Sequence, residues 1–242
     1  MITALDYYRN LNIESVILRL ALAMLFGGLI GLEGGRKGRA AGFRTYMLVS
    51  LGATLTILLG QYEFEMLRTH WSAVKALTGT HVDIARFGAQ VINGIGFLGA
   101  GTIIVTGKQQ VKGVTTAAGL WTSACAGLAI GAGFYECILL VYPIVLFVVR
   151  FLPIWEEHII DTMRNMNIHV EYDATENIGE ILKKLRELDT QIYEVDIHRP
   201  GSDSNSRPSA IFTLRLCRGM THARMLAYIS QLECISSAEE IF

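Results

Sequence analysis

Charge is what this sequence has least of. Only 18% of its 242 residues are Asp, Glu, Lys or Arg, against 51% hydrophobic residues. Together with a mean hydropathy of +0.37, that scarcity argues against an ordinary soluble domain and points to a membrane protein. The four cysteines (Cys125, Cys137, Cys217, Cys234) form no CxxC pair and no metal-ligand spacing. Buried or reduced thiols are therefore expected rather than a metal centre. HExxH, a P-loop and a Ser/His pair inside an apolar segment are also missing. No catalytic residue is assigned and no enzyme is expected; nor is a nucleic-acid partner. His81 and Asp83 in "THVD" are too few ligands for a structural metal site. No cleavable signal is evident, because the first apolar run follows Asp6, Arg9 and Glu14 and ends without a small-residue cleavage site.

The charges that exist are unevenly placed. Residues 1–155 hold 12 basic and 7 acidic residues, and residues 156–242 hold 9 and 15. Such asymmetry marks two domains in two environments, a transmembrane domain over 1–155 and a soluble one over 156–242. Five segments approach the roughly 20 apolar residues that cross a bilayer core. They are Ser15–Leu32, Thr45–Tyr62, Phe87–Thr106, Gly113–Tyr135 and Cys137–Trp155. Basic residues collect after the first span (Arg36, Lys37, Arg39, Arg44), after the third (Lys108, Lys112) and at the end of the fifth (Arg150). That pattern predicts five transmembrane helices, with the N-terminus outside and the C-terminal domain cytoplasmic.

The tail alternates apolar residues at Ile168, Val170 and Tyr172, then places Ile178, Ile181, Leu182, Leu185 and Leu188 on one helical stripe. Tyr193, Val195 and Ile197 alternate again, and "RPGSDSNSRP" has the composition of a loop. Phe212, Leu214 and Leu216 form a third strand. A helix capped by Thr221 carries Met225, Leu226, Ile229 and Leu232, and "ISSAEEIF" is a last strand. The predicted order is βαββαβ, an α+β ferredoxin-like or ACT-like domain.

Three ordered blocks in the membrane half carry a resemblance. "GLIGLEGGRKGRAAGFRTYMLVSLGATL", "DIARFGAQVINGIGFLGAGTII" and "VKGVTTAAGLWTSACAGLAIGAG" resemble the MgtC/SapB family of bacterial inner-membrane proteins, in the long form with an ACT-like tail. The resemblance implies a multi-pass inner-membrane protein linked to magnesium homeostasis, growth at low magnesium and, in some members, survival inside host cells and virulence. It implies a regulator of a membrane partner such as the ATP synthase, and ACT modules commonly pair, which implies a homodimer. The chain departs from the family at Tyr46, where His often follows "RT", and in its "GGRKGRAAG" loop. No protonation role is therefore carried over to position 46.

The polar residues of the spans are the candidate sites. Arg19, Asp83 and Arg86 fall near the outer face, and a membrane-embedded Arg needs a partner, of which Asp83 is the nearest plausible one. Asp83 could equally pair with Arg86 three residues on, or serve as a cation ligand, since magnesium takes one or two carboxylates and keeps its water. Possession of magnesium as a cofactor is not otherwise expected. Arg86, Gln90, Asn93 and Phe97 share one helical face, where amides either bond a neighbouring helix or line a wet cavity. The second use would make the chain a magnesium or proton transporter or channel with a path along span three. Gly94, Gly96, Gly99 and Gly101 are expected to let a neighbouring backbone approach, and Trp121 to fill a packing gap. At the inner face, Glu33 and Arg44 are expected to pair, near Thr115 and Thr116.

Overall fold

The computed structural model describes residues 2–36, 41–81, 83–106, 110–198, 208–217, 219–232 and 234–241. They form two compact units, a helical one that runs to Leu152 and a second that begins at Pro153.

In the helical unit, α1 (Ile2–Arg9) leads into α2 (Ile13–Arg36), α3 (Phe43–Arg68) and the short α4 (Ser72–Thr78). Then come α5 (Ile84–Ala100), a hairpin of β1 (Ile104–Val105) and β2 (Val111–Lys112), α6 (Val114–Gly131) and α7 (Tyr135–Arg150). Four stretches are long and apolar enough to cross a membrane: Ile13–Leu32, Phe43–Arg68, Val114–Gly131 and Tyr135–Glu156. The expected span Phe87–Thr106 is shorter than read, because α5 stops at Ala100. The Thr102 hydroxyl donates back to the Gly99 carbonyl (2.8 Å), and the β-branched residues beyond it enter the hairpin. Gly113 closes that hairpin at φ +97°, where a side chain would also overlap the Thr102 carbonyl.

Helix α3 is the centre of the unit. Gly27 and Gly31 of α2 approach it at Ser50 and Tyr46, so α2 and α3 are antiparallel. Gly119, Gly127 and Gly131 of α6 meet it in rising order at Tyr46, Ser50 and Thr54, so α3 and α6 are parallel. Close approach lets hydroxyls bond across: Thr54 Oγ1 donates to the Gly127 carbonyl (2.8 Å), and Ser123 Oγ to the Tyr46 carbonyl (3.0 Å). Helix α5 begins beside the far end of α3, where Gly60 meets Ile84 and Phe87, and ends beside the start of α6, where Gly99 meets Ala117. It therefore runs back along both.

In the second unit, α8 (Leu152–Thr162) precedes β3 (Asn165–Tyr172), a 3-10 turn (Thr175–Asn177), α9 (Ile178–Glu187), β4 (Gln191–His198), β5 (Ser209–Arg215), α10 (His222–Ser230) and β6 (Ile235–Ile241). The strands form one antiparallel sheet in the order β4-β5-β3-β6. Ile168, Val170 and Tyr172 of β3 and Phe212 and Leu214 of β5, with Leu216 just beyond it, are buried in one core with Ile181, Leu185, Met225 and Ile229. The Thr221 side chain caps α10 by accepting from the Arg224 N–H. Strand β4 departs from simple alternation. A register shift between Ile192 and Glu194 leaves Ile192 and Val195 facing the core, while Tyr193 and Ile197 are exposed. One extra residue in a strand reverses the faces beyond it, so a period of two misassigns Tyr193. The "RPGSDSNSRP" segment lies outside the described residues except for its last proline.

Candidate functional site

Two polar features of the helical unit stand out against its apolar surroundings. The first is Arg19, which is fully buried on α2. Its Nε donates to the Tyr135 hydroxyl (3.2 Å). One terminal nitrogen donates to Gln61 Oε1 (2.8 Å) and the Gly131 carbonyl (2.9 Å). The other donates to the carbonyls of Tyr8 (3.0 Å) and Arg9 (2.7 Å). All five N–H groups of the guanidinium are thereby used, each on a neutral oxygen. The charge is offset by position: Tyr8 and Arg9 end α1 and Gly131 ends α6, so the negative ends of two helix dipoles converge on it. Asp83 is not its partner, as the sequence had suggested. The cage ties α1, α2, α3, α6 and α7 together at the end of the bundle where α2 begins. Close by, Arg9 pairs with Glu136 and with Asp6 (3.1 Å). Tyr7 donates to Glu14 (3.0 Å), and that carboxylate pushes the Tyr7 phenol above its ordinary pKa.

The second feature is the outward face of α5. Asp83 caps the helix, its carboxylate accepting from the backbone N–H of Arg86 (3.3 Å) rather than from the Arg86 guanidinium. Arg86, Gln90, Asn93 and Phe97 are all exposed, Phe97 by 82%. Among the described residues neither amide bonds a neighbouring helix, because the inward face of α5 is the one carrying Val91 and Ile95. The polar stripe thus belongs to the surface of this unit and not to its interior. No group of three or more His, Cys, Asp or Glu is placed to hold a metal among the described residues.

The predicted packing glycines divide. Gly94 and Gly96 have nothing within 4 Å, Gly101 meets only its own helix, and only Gly99 touches a neighbour, Ala117. The close approaches belong instead to Gly27, Gly31, Gly119, Gly127 and Gly131. Their four-residue spacing in "GGLIG" and "GLAIG" was the available signal. Trp121 does not fill an interior gap: it is 49% exposed and lines an apolar cavity of about 260 Å³ with Cys125, Ile138 and Tyr142. Thr116 is buried and its carbonyl accepts from the Tyr46 hydroxyl (3.3 Å), whereas Thr115 is exposed. Arg44 is exposed at the start of α3. The side chain of Glu33 lies outside the described residues, as do Lys37, Arg39 and Lys108.

Comparison with known proteins accounts for the helical unit. YhiD of Escherichia coli K12, named as a candidate magnesium transporter, is 40% identical over 120 residues, covering 50% of this chain and 52% of that protein. Protein MgtC of Salmonella typhimurium LT2 is 40% identical over 120 residues, 50% of this chain and 45% of that one. Protein SapB of Bacillus subtilis 168 is 30% identical over 189 residues, 75% of this chain and 77% of that one. The matched region thus spans about half the length of YhiD and MgtC. No solved structure matches the chain. The model of the MgtC family matches residues 20–158, a stretch that contains Glu33, the glycine seams around α3, the polar face of α5 and all but the first apolar helix in full. This chain belongs to the MgtC family of membrane proteins.

Proposed function

We propose that the chain is a multi-pass bacterial inner-membrane protein, linked to magnesium homeostasis, that acts without catalysis by docking a membrane partner on the outward face of α5. The observation that carries this reading is the exposure of Gln90 and Asn93 on a helix packed among apolar spans. An amide facing hydrocarbon without a partner costs several kcal/mol, at least about 1–3 on protein scales. A helix that supplies donors and acceptors removes that cost.

The reading needs α5 to cross the membrane, which we propose as the fifth crossing. The parallel run of α3 and α6 supports it: two parallel crossings require the chain between them to return through the same thickness. Helix α5 has 17 residues, at the short end of the spanning range, and the hairpin extends its reach. The Lys and Arg residues that the sequence collects after the first and third spans favour an N-terminus outside and a tail in the cytoplasm. The tail's βαββαβ order and its β4-β5-β3-β6 sheet support a ferredoxin-like domain of the ACT type, whose pairing would make the chain a homodimer. The ATP synthase is the partner that the family resemblance suggests.

A transporter is the competing reading, favoured by the name of YhiD. Against a cation path through the bundle stands Arg19, a fixed positive charge at one end of α2, α3 and α6. The test is cross-linking from a cysteine at position 93 in native membranes, beside magnesium and proton flux in proteoliposomes. A cross-linked protein that is lost on Gln90→Leu, with no flux above empty vesicles, is expected. Flux that disappears in Asp83→Asn would overturn the regulator in favour of the transporter.

A further inference from the structure

A groove of about 720 Å³ lies between α3 and α5, over α6. It is apolar along its length, walled by Leu48 of α3 and Leu98 of α5, and its openings are made by Gly52 and Gly94, which have nothing within 4 Å. Its single charge is at one end, where Arg44 and Thr45 line it in the first turn of α3. Because the spanning stretch of α3 begins at Phe43, Arg44 stands at the depth of lipid headgroups. Among the described residues its guanidinium has no partner.

We propose that this groove binds one anionic phospholipid, its phosphate on Arg44 and Thr45 and an acyl chain along Leu48, Gly52, Gly94 and Leu98. The charge complementarity selects the occupant. An amphiphile with one anionic head and an apolar tail matches a groove with one cation and an apolar wall, and guanidinium binds phosphate in bidentate fashion. Neither Gln90 nor Asn93 lines the groove, so the proposal does not rest on a partner docking at them. Free phosphate would satisfy Arg44 but leave the apolar wall without a role.

The test uses the full chain in nanodiscs made from equal parts phosphatidylcholine and phosphatidylglycerol, with retained lipid counted by native mass spectrometry. The wild type should keep phosphatidylglycerol over phosphatidylcholine by about fivefold, the scale of one basic residue at an anionic surface. Arg44→Gln should bring that preference close to one. Gly94→Leu should lower retention of both lipids, while Gly96→Leu, on the same helix outside the groove, should leave it unchanged. If Gly94→Leu does not fold, Gly52→Leu closes the groove from α3. Equal retention of the two lipids by the wild type, or full retention with the groove filled, would overturn the proposal. So would cross-linking of a cysteine at position 98 to another polypeptide.

Discussion

The two units are built inside out relative to each other. In the tail, twelve apolar residues form one dry core, with Ile168, Val170, Tyr172, Phe212 and Leu214 essentially inaccessible. In the helical unit the apolar clusters are small, three or four residues each. Its fully buried polar groups are instead Ser15, Arg19, Ser50, Thr54 and Ser123, while Leu139, Leu140 and Ile144 are more than 60% exposed. The difference follows from the solvent. In water, burying a large apolar side chain contributes about 1.5–3 kcal/mol, so large residues go inside. In a bilayer that driving force vanishes, and close backbone approach with hydrogen bonds holds the helices together.

The sharpest break of this comparison is at the smallest residue. A Cβ on Gly127 would overlap the Ser50 carbonyl, a backbone atom that cannot turn aside. Gly127→Val should cost more than about 4 kcal/mol and abolish a folded helical unit in detergent. Gly94→Ala, with open space around it, should leave the melt unchanged or raise it slightly through helix propensity. Next is Arg19→Met. It strands the carbonyls of Arg9 and Gly131 and the Gln61 amide in the interior, while the Tyr8 carbonyl keeps its bond from the Tyr135 hydroxyl, and should cost about 3–5 kcal/mol, read as a lowered thermal midpoint.

Surface apolar residues give the third contrast. Ile144→Lys on α7 should impair membrane insertion by about 3 kcal/mol, measured by glycosylation mapping. The equally exposed Tyr193→Lys in the tail should change stability by less than about 0.5 kcal/mol. Between these lies His222, one of the tail's buried polar residues. Its Nε2 donates to the Met163 carbonyl (2.8 Å) and its Nδ1 meets Glu240 (2.5 Å), joining the exit of α8 to α10 and β6. His222→Phe should cost about 2 kcal/mol in urea unfolding.

What the sequence made legible follows the same divide. The tail's strands and helices could be read because Val170, Phe212 and Met225 repeat at local periods, and a core in water enforces those periods. The β4 bulge escaped because nothing local distinguishes Tyr193 from an inward residue. Arg19 was recognisable as a residue in need of partners. Its actual partners were not, because they come from four other helices and all five of its bonds go to oxygens that carry no charge. The stripe on α5 was legible as a stripe, since four residues on one helix define a face. Which way that face points depends on Ile95 packing against Ala53 and Ala124, contacts 42 and 29 positions distant along the chain.

The parallel pairing of α3 and α6 has a consequence for the order in which the chain matures. The α2–α3 hairpin closes over a short connection and can form as soon as both helices leave the translocon. The Thr54–Gly127 bond joins residues 73 positions apart, and α6 can reach α3 only after the whole of α5 and the hairpin has been made. Contacts of such separation close late, after the loop entropy has been met. During synthesis, Thr54 therefore waits without its Gly127 acceptor until α6 arrives, and a chain arrested before residue 127 would present that open hydroxyl to the quality-control machinery of the membrane.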